Sequence, residues 1–324
     1  MVRREFISLY FWLRFKNQSF LELPFPVQRI LIGRLRNNNT SAHPRRVVRD
    51  FFKILSKSGM HMANDATVTR NVTVLGCPIS NMNLDDFVSS AEEFISSKSP
   101  HYIAMMNVAK LVKMRSDNDL AQSILAADLI GADGVPLVWV SWLFGTPLAG
   151  RVNGTDLMYR LLDRASEKRY RIFFFGAKEG VLRRVLQVVR QEYPGVEIAG
   201  SQHGYFTPAE ELAIVNKIRL AKPDILLIAF GTPKKELWVK RYLSAMEVPV
   251  IHGVGGSFDI LAGAVRRAPL WMQNTGLEWF FRLLQEPGRM WRRYLITNLL
   301  FVLLVLREWL SLPFSATKPK AKRR

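Results

Sequence analysis

Residues 127–157 read ADLIGADGVPLVWVSWLFGTPLAGRVNGTDL. The run over 126–130 has strand character and ends just before Asp133, which Gly131 and Gly134 flank. Glycines at those places permit a tight turn that a residue with a Cβ resists. Pro136 suits the first turn of a helix, and Leu137, Val138 and Val140 continue an apolar surface. An acid at a strand-to-helix junction faces the carboxyl edge of the sheet, where open α/β folds bind ligands, so Asp133 is a candidate catalytic residue. Capping of the helix that follows is the other role open to it.

Downstream the same alternation repeats. Arg171 to Phe175 (RIFFF) is a buried-strand pattern closed by Gly176, and a helix follows over 180–189 with Arg183, Arg184 and Arg190 outward. Val196 to Ala199 leads through His203-Gly204-Tyr205-Phe206 to a helix that Pro208 starts. Ile225 to Phe230 (ILLIAF) then ends in Gly231-Thr232-Pro233-Lys234-Lys235-Glu236, and Val248 to Ile251 ends in His252-Gly253-Val254-Gly255-Gly256. Upstream, NVTVLGCPI over 71–79 alternates as a strand, Leu84 to Ile95 has helical spacing, and His101 to Met105 reads as another strand. Helices follow over 108–114 and 120–125. This order predicts an α/β fold: a mostly parallel, Rossmann-like sheet with helices on both faces. Gly176, Gly231 and Gly253 each close an apolar strand, and together they are a candidate cradle for a nucleotide diphosphate. No G-x-x-x-x-G-K-[ST] loop or complete dinucleotide fingerprint occurs, so kinase-like and simple dehydrogenase readings lose support.

Charge and cysteine content narrow the classes further. The 324 residues carry a formal charge of +19. Residues 1–70 hold 13 basic against 4 acidic side chains, residues 262–324 hold 12 against 3, and the middle is nearly neutral. Basic, aromatic and aliphatic ends around a neutral domain point to an anionic membrane surface and not to nucleic acid. Cys77 is the one cysteine, so no intrachain disulfide or Cys-based zinc site can form. Asp117-Asn118-Asp119 has the D-x-D form that can hold a metal on a sugar nucleotide, but it directly precedes a helix, where capping is the commoner use.

The ends have their own patterns. Phe6 to Leu13 is apolar but interrupted by Arg14 and Lys16, with no cleavage site, and 35–50 reads as a polar linker. Residues 1–70 are therefore expected to be a basic extension. Met60 and Met62 suggest that 1–59 are not all part of the native protein. The catalytic domain is expected over 71–262, a membrane-associating helical appendage over 263–310, and a basic tail over 311–324. Within the appendage, Arg282, Arg289 and Arg293 are seven and four apart, a spacing that predicts one phosphate-facing side of a helix. Leu295 to Leu306 falls short of the ~20 residues that span a bilayer, so it is expected to lie on the membrane. Trp291 and Trp309 bracket that run.

From about Val72 to Leu306 the chain resembles the WecG/TagA/CpsF family of bacterial glycosyltransferases. The likeness is carried by Ala132-Asp133-Gly134, Arg151-Val152-Asn153-Gly154-Thr155-Asp156, Thr232-Pro233-Lys234-Lys235-Glu236, and Gly255-Gly256-Ser257-Phe258-Asp259 through Arg293. The resemblance implies inverting transfer of a sugar from a UDP-sugar to a polyprenyl-diphosphate-linked sugar. The transfer would take place at the cytoplasmic membrane face, with no cofactor and no required metal. N-acetylmannosamine, its uronic acid and glucose are all open as the sugar moved, and a homo-oligomer is compatible with the likeness. It implies Asp133 as catalytic base, with Asn107 in the catalytic set. Arg151, Asp156, Gly176, Tyr205, Gly231, Thr232, Lys234, Lys235, Glu236, Gly253, Gly255 and Asp259 would lie around the nucleotide-sugar, and Arg282, Arg289 and Arg292 would meet the acceptor diphosphate. Met105 stands where the family often has Thr, which removes a hydroxyl. Lys235 stands where it often has Gln, which adds a positive charge for the leaving diphosphate. A metal-dependent transferase using Asp117 and Asp119, or a non-catalytic basic binding protein with a nucleotide fold, are the competing classes.

Overall fold

A computed structural model describes residues 71–311, so the expectations for 1–70 and for most of the basic tail lie outside the described residues. The chain opens with β1 (Asn71–Val74) and β2 (Cys77–Ser80), an antiparallel pair that forms its own two-stranded sheet. The single strand expected over 71–79 is thus a hairpin. Leu75 and Gly76 adopt φ of 46° and 73°, the left-handed pair that a two-residue hairpin turn demands. Periodicity alone cannot show this, because alternation continues in phase through the turn.

The main sheet has six parallel strands in the order β4-β3-β8-β7-β5-β6. In chain order these are β3 (His101–Met106), β4 (Leu129–Ala132), β5 (Arg171–Gly176), β6 (Glu197–Gln202), β7 (Ile225–Ala229) and β8 (Val250–Gly253). From β3 the chain moves to one edge of the sheet and from β5 to the other, with β8 and β7 between them. β4 begins later than the run over 126–130 suggested. The Ala126 N–H still bonds to Gln122 O and ends the preceding helix.

The connecting helices are α1 (Leu84–Ser97), α2 (Val108–Lys113), α3 (Asn118–Leu125), α4 (Val135–Leu143), α5 (Gly154–Lys168), α6 (Glu179–Glu192), α7 (Glu211–Ala221), α8 (Lys234–Met246) and α9 (Ser257–Leu261). Alternate strand residues face opposite layers. Phe173 and Phe175 join Leu111, Ile124, Ile218 and Val239 on one face, while Phe174 joins Phe87, Leu161 and Val185 on the other. All three phenylalanines are fully buried, each stabilising the fold by roughly 1.5–3 kcal/mol relative to exposure. Sequence-local caps set the helix starts. Asn83 and Asp86 exchange side-chain and backbone bonds at α1, 3.0 and 2.9 Å long. Asp117 Oδ1 accepts from Leu120 N–H at 3.0 Å to cap α3.

Three helices follow: α10 (Leu270–Asn274), α11 (Glu278–Gln285) and α12 (Pro287–Ser311). Glu286, at φ −130° and ψ 60°, breaks the chain between α11 and α12. Arg282 and Arg289 are therefore on different helices, and the single arginine face inferred from their spacing does not run through. α12 packs on α2, with Phe301 buried in the core and Leu304 and Val305 against it. Its segment Tyr294–Ser311, 18 residues of mean hydropathy 1.5, is long and apolar enough by composition to cross a membrane, more than the run over 295–306 suggested.

Candidate active site

Because the six strands run one way, their carboxyl ends gather most candidate residues at one edge. Asn107 follows β3, Asp133 follows β4, Gly176 closes β5 and Tyr205 follows β6. Gly231 and Thr232 follow β7, Gly253 closes β8, and Gly255 follows it.

Asp133 is held from both sides. Its N–H donates to Met106 O at 2.7 Å, and Val152 N–H donates to Ala132 O at 3.0 Å, which brings the 151–156 segment against the end of β4. Asn153 Nδ2 then donates to Asp133 Oδ1 at 3.0 Å. The acid does not cap α4, whose N-cap is Gly134 with no side-chain bond. Asp133 is half-buried. Burial raises its carboxyl above the usual carboxylate range and the Glu278 carboxylate adds to this, against the pull of Lys110, Arg151 and Arg282. A carboxylate so raised binds a proton more readily than an ordinary aspartate. Asn107, which follows the neighbouring strand β3, accepts the Lys110 N–H on its Oδ1 at 3.0 Å and so caps α2.

Arg151 and Asp156 form a bridge to the C-terminal helices. Arg151 lies 3.5 Å from both Asp156 and Glu278 and donates to Gln273 O at 3.1 Å; Arg267 bonds Asp156 as well. The Arg151 guanidinium thus ties α5, α10 and α11 together beside Asp133. Arg282 of α11 comes close to Gly256, near the Asp259 carboxylate. Arg292 stacks over Trp291 at 5.5 Å and is exposed; the Arg289 and Arg293 side chains lie outside the described residues.

Lys235 and Glu236 depart from expectation. Both are buried, at 3% and 0% exposure, and their charges meet each other and Lys110. Glu236 Oε1 takes Lys110 Nζ at 2.8 Å and Lys235 Nζ at 3.0 Å, and it accepts the Thr232 hydroxyl at 3.2 Å. Lys110 Nζ also donates to Met105 O at 2.7 Å. Burial favours a protonated Glu236, but the two ammoniums outweigh it and hold the carboxyl down at about 2. Burial and the neighbouring Lys110 lower Lys235 to about 8. Gly253 leaves the space that the Lys235 stem fills, since a Cβ there would collide with it. Beside the triad, His252 is fully buried with Nε2 3.1 Å from Gly154 O, and burial lowers it to about 4, so it stays neutral. Met105 packs in the core between Gly131 and Gly154.

Lys234 is the more open cation of the turn. Its Nζ stands 3.9 Å over the Phe206 ring, and that ring packs with Phe175 and Phe230. Tyr205 next to it is 67% exposed. Among the described residues no group of three His, Cys, Asp or Glu side chains converges as a metal site would. The oxygen by which Asp117 caps α3 is committed to the backbone.

Sequence reasoning gave no role to Asn153, Lys110, Gln273 or Glu278. Asn153 had a signal, standing directly before α5 in a motif already singled out. Lys110 and Glu278 had none, because their partners are 126 and 127 residues away in the chain.

Comparison with known proteins places the chain in a family. The sequence model of the glycosyl transferase WecG/TagA/CpsF family matches residues 72–314. An N-acetylglucosaminyldiphosphoundecaprenol N-acetyl-beta-D-mannosaminyltransferase of Bacillus spizizenii is 37% identical over 223 residues, 66% of this chain and 86% of the relative. A protein of the same name from Bacillus subtilis is 34% identical over 237 residues, 73% of this chain and 91% of its own. With a match over most of its length and the motif residues gathered at one sheet edge, the chain is a glycosyltransferase and belongs to the WecG/TagA/CpsF family.

Proposed function

We propose that this chain transfers N-acetylmannosamine from a UDP donor to an N-acetylglucosaminyl-diphospho-polyprenol, with inversion and without a metal. The names of the two relatives support the sugar and the acceptor. The observation that carries the mechanism is Asp133, half-buried at the carboxyl edge with its proton affinity raised. The acceptor hydroxyl gives its proton to the Asp133 carboxylate as its oxygen bonds to the anomeric carbon. The bond from that carbon to the diphosphate oxygen breaks, and UDP leaves with the electron pair. Lys234, Arg282 and the backbone N–H groups of the glycine turns are the groups that would meet diphosphate charge. Asp133→Asn should fold as wild type and lose transfer by about 10²- to 10⁴-fold. The measurement is transfer of label from UDP-N-acetylmannosamine to a short-chain lipid-diphosphate acceptor, with and without EDTA. Full activity of the variant overturns the base; loss of wild-type activity in EDTA returns the metal-dependent class.

The acceptor's lipid calls for a membrane surface, and we infer that α12 supplies it at the inner face. Leu295, Leu299, Leu303, Leu306 and Leu310 are exposed along it while Phe301 is sealed against the protein. A helix with one face on its own domain lies along lipid and is not surrounded by it. Leu299→Glu with Leu303→Glu should release the protein from phosphatidylglycerol vesicles in co-sedimentation; unchanged binding counts against this placement.

A further inference from the structure

We propose that Asn153 is the positioning residue for Asp133: its amide grips one carboxylate oxygen and leaves the other, Oδ2, to take the acceptor's proton. This rests on the reading of Asp133 as the base. Asn153 is 7% exposed and stands at the N-cap of α5. Its Oδ1 accepts the N–H of Thr155 at 2.8 Å and of Asp156 at 3.3 Å. Those two donors fix which end of the amide is oxygen, so the NH₂ end must face Asp133, which it reaches at 3.0 Å. One short side chain thus locks the start of a helix to the reacting carboxylate.

The scaffold beneath does not depend on that contact. The end of β4 is pinned by the backbone bonds Asp133 N–H to Met106 O and Val152 N–H to Ala132 O. Removal of the amide therefore leaves Asp133 in place while freeing its side chain to rotate. Asn153 also has an electrostatic effect. The charged groups facing Asp133 are Lys110 on α2, Arg151 before α5, and Glu278 and Arg282 on α11. Among them Glu278 and burial favour the protonated acid, whereas an N–H donated to Oδ1 favours the ionised base.

Two substitutions separate positioning from capping, because Ser and Asp are both good N-caps. Asn153→Ser keeps a capping oxygen but is too short to reach Asp133. Asn153→Asp keeps the cap and the length, but turns a donor into a second carboxylate. We expect Asn153→Ser to lower kcat roughly tenfold or more, with KM for the donor little changed. The acid limb of its kcat/KM profile should move to higher pH. In Asn153→Asp that limb should move up by about one pH unit or more, because adjacent carboxylates resist joint ionisation. Should Asn153→Ser fail to fold, Asn153→Asp carries the test. An acid limb unmoved in the folded variants, whatever happens to kcat, overturns the inference. Asp133→Asn run alongside distinguishes the two claims: if it transfers sugar normally the base reading has failed, and if it is inactive while the limb stays put only the positioning role has.

Discussion

At the end of β4 a half-buried Asp133 faces a mixed set of charges and one amide, while in the first turn of α8 Glu236 is sealed between two lysine ammoniums. Both carboxylates sit at the carboxyl edge, and both lie near Lys110. Burial pushes both upward, yet Asp133 ends above its usual range and Glu236 far below it, at about 2. The difference is contact: Glu236 touches two cations at 2.8 and 3.0 Å, whereas among the described residues the Asp133 carboxylate takes its hydrogen bond from a neutral amide. A carboxylate clamped by cations is a poor proton acceptor and a firm structural anchor; one held by an amide beside a second acid can do chemistry.

The contrast is broken most directly at Glu236. Glu236→Gln leaves two buried ammoniums without an anion and should cost about 3–5 kcal/mol of stability. Chemical denaturation at neutral pH measures it, and a loss below about 1 kcal/mol would mean that the triad is not an anchor. The pH dependence has a definite sign. Glu236 is depressed, so its stabilisation is complete above its unfolded value of 4.5 and is lost as pH falls towards 2. The variant should lack that acid-side loss. Lys235→Met should act oppositely and less. Its folded value of about 8 lies below 10.5, so its charge costs stability below pH 8, a cost that fades as pH rises towards 10.5. With Lys110 still on Glu236, the variant should be as stable as wild type or more so at pH 7.

These two clusters also show what could be read from sequence. The parallel sheet was legible because apolar strands such as Phe173–Phe175 and Ile225–Ile228 are buried on both faces and read as continuous runs. Asp133 was legible because glycines and a proline mark its turn. The hairpin at Leu75-Gly76 was not, since alternation passes through it unchanged. Nor was the burial of Lys235 and Glu236: a charged pair at a helix start reads as exposed until Lys110, on another strand's helix, is brought to it. The arginine spacing misled because it presumes an unbroken helix, and Glu286 interrupts it.

The smallest expected effect tests the open side of the comparison. Glu278 is the second cause, after burial, of the raised Asp133, and it lies 3.5 Å from Arg151. Glu278→Gln removes that negative charge and also frees Arg151 from one of its anionic partners, and both changes favour the ionised carboxylate. The acid limb of kcat/KM should therefore move to lower pH by less than about one unit, opposite to the shift in Asn153→Asp. Above neutral pH the weaker base should turn over slightly more slowly, because proton acceptance declines with basicity. If the limb instead stayed fixed in Glu278→Gln, α11 would not be close enough to Asp133 during turnover to set its charge. The mixed set of charges at the end of β4 would then consist of Lys110 and Arg151 alone.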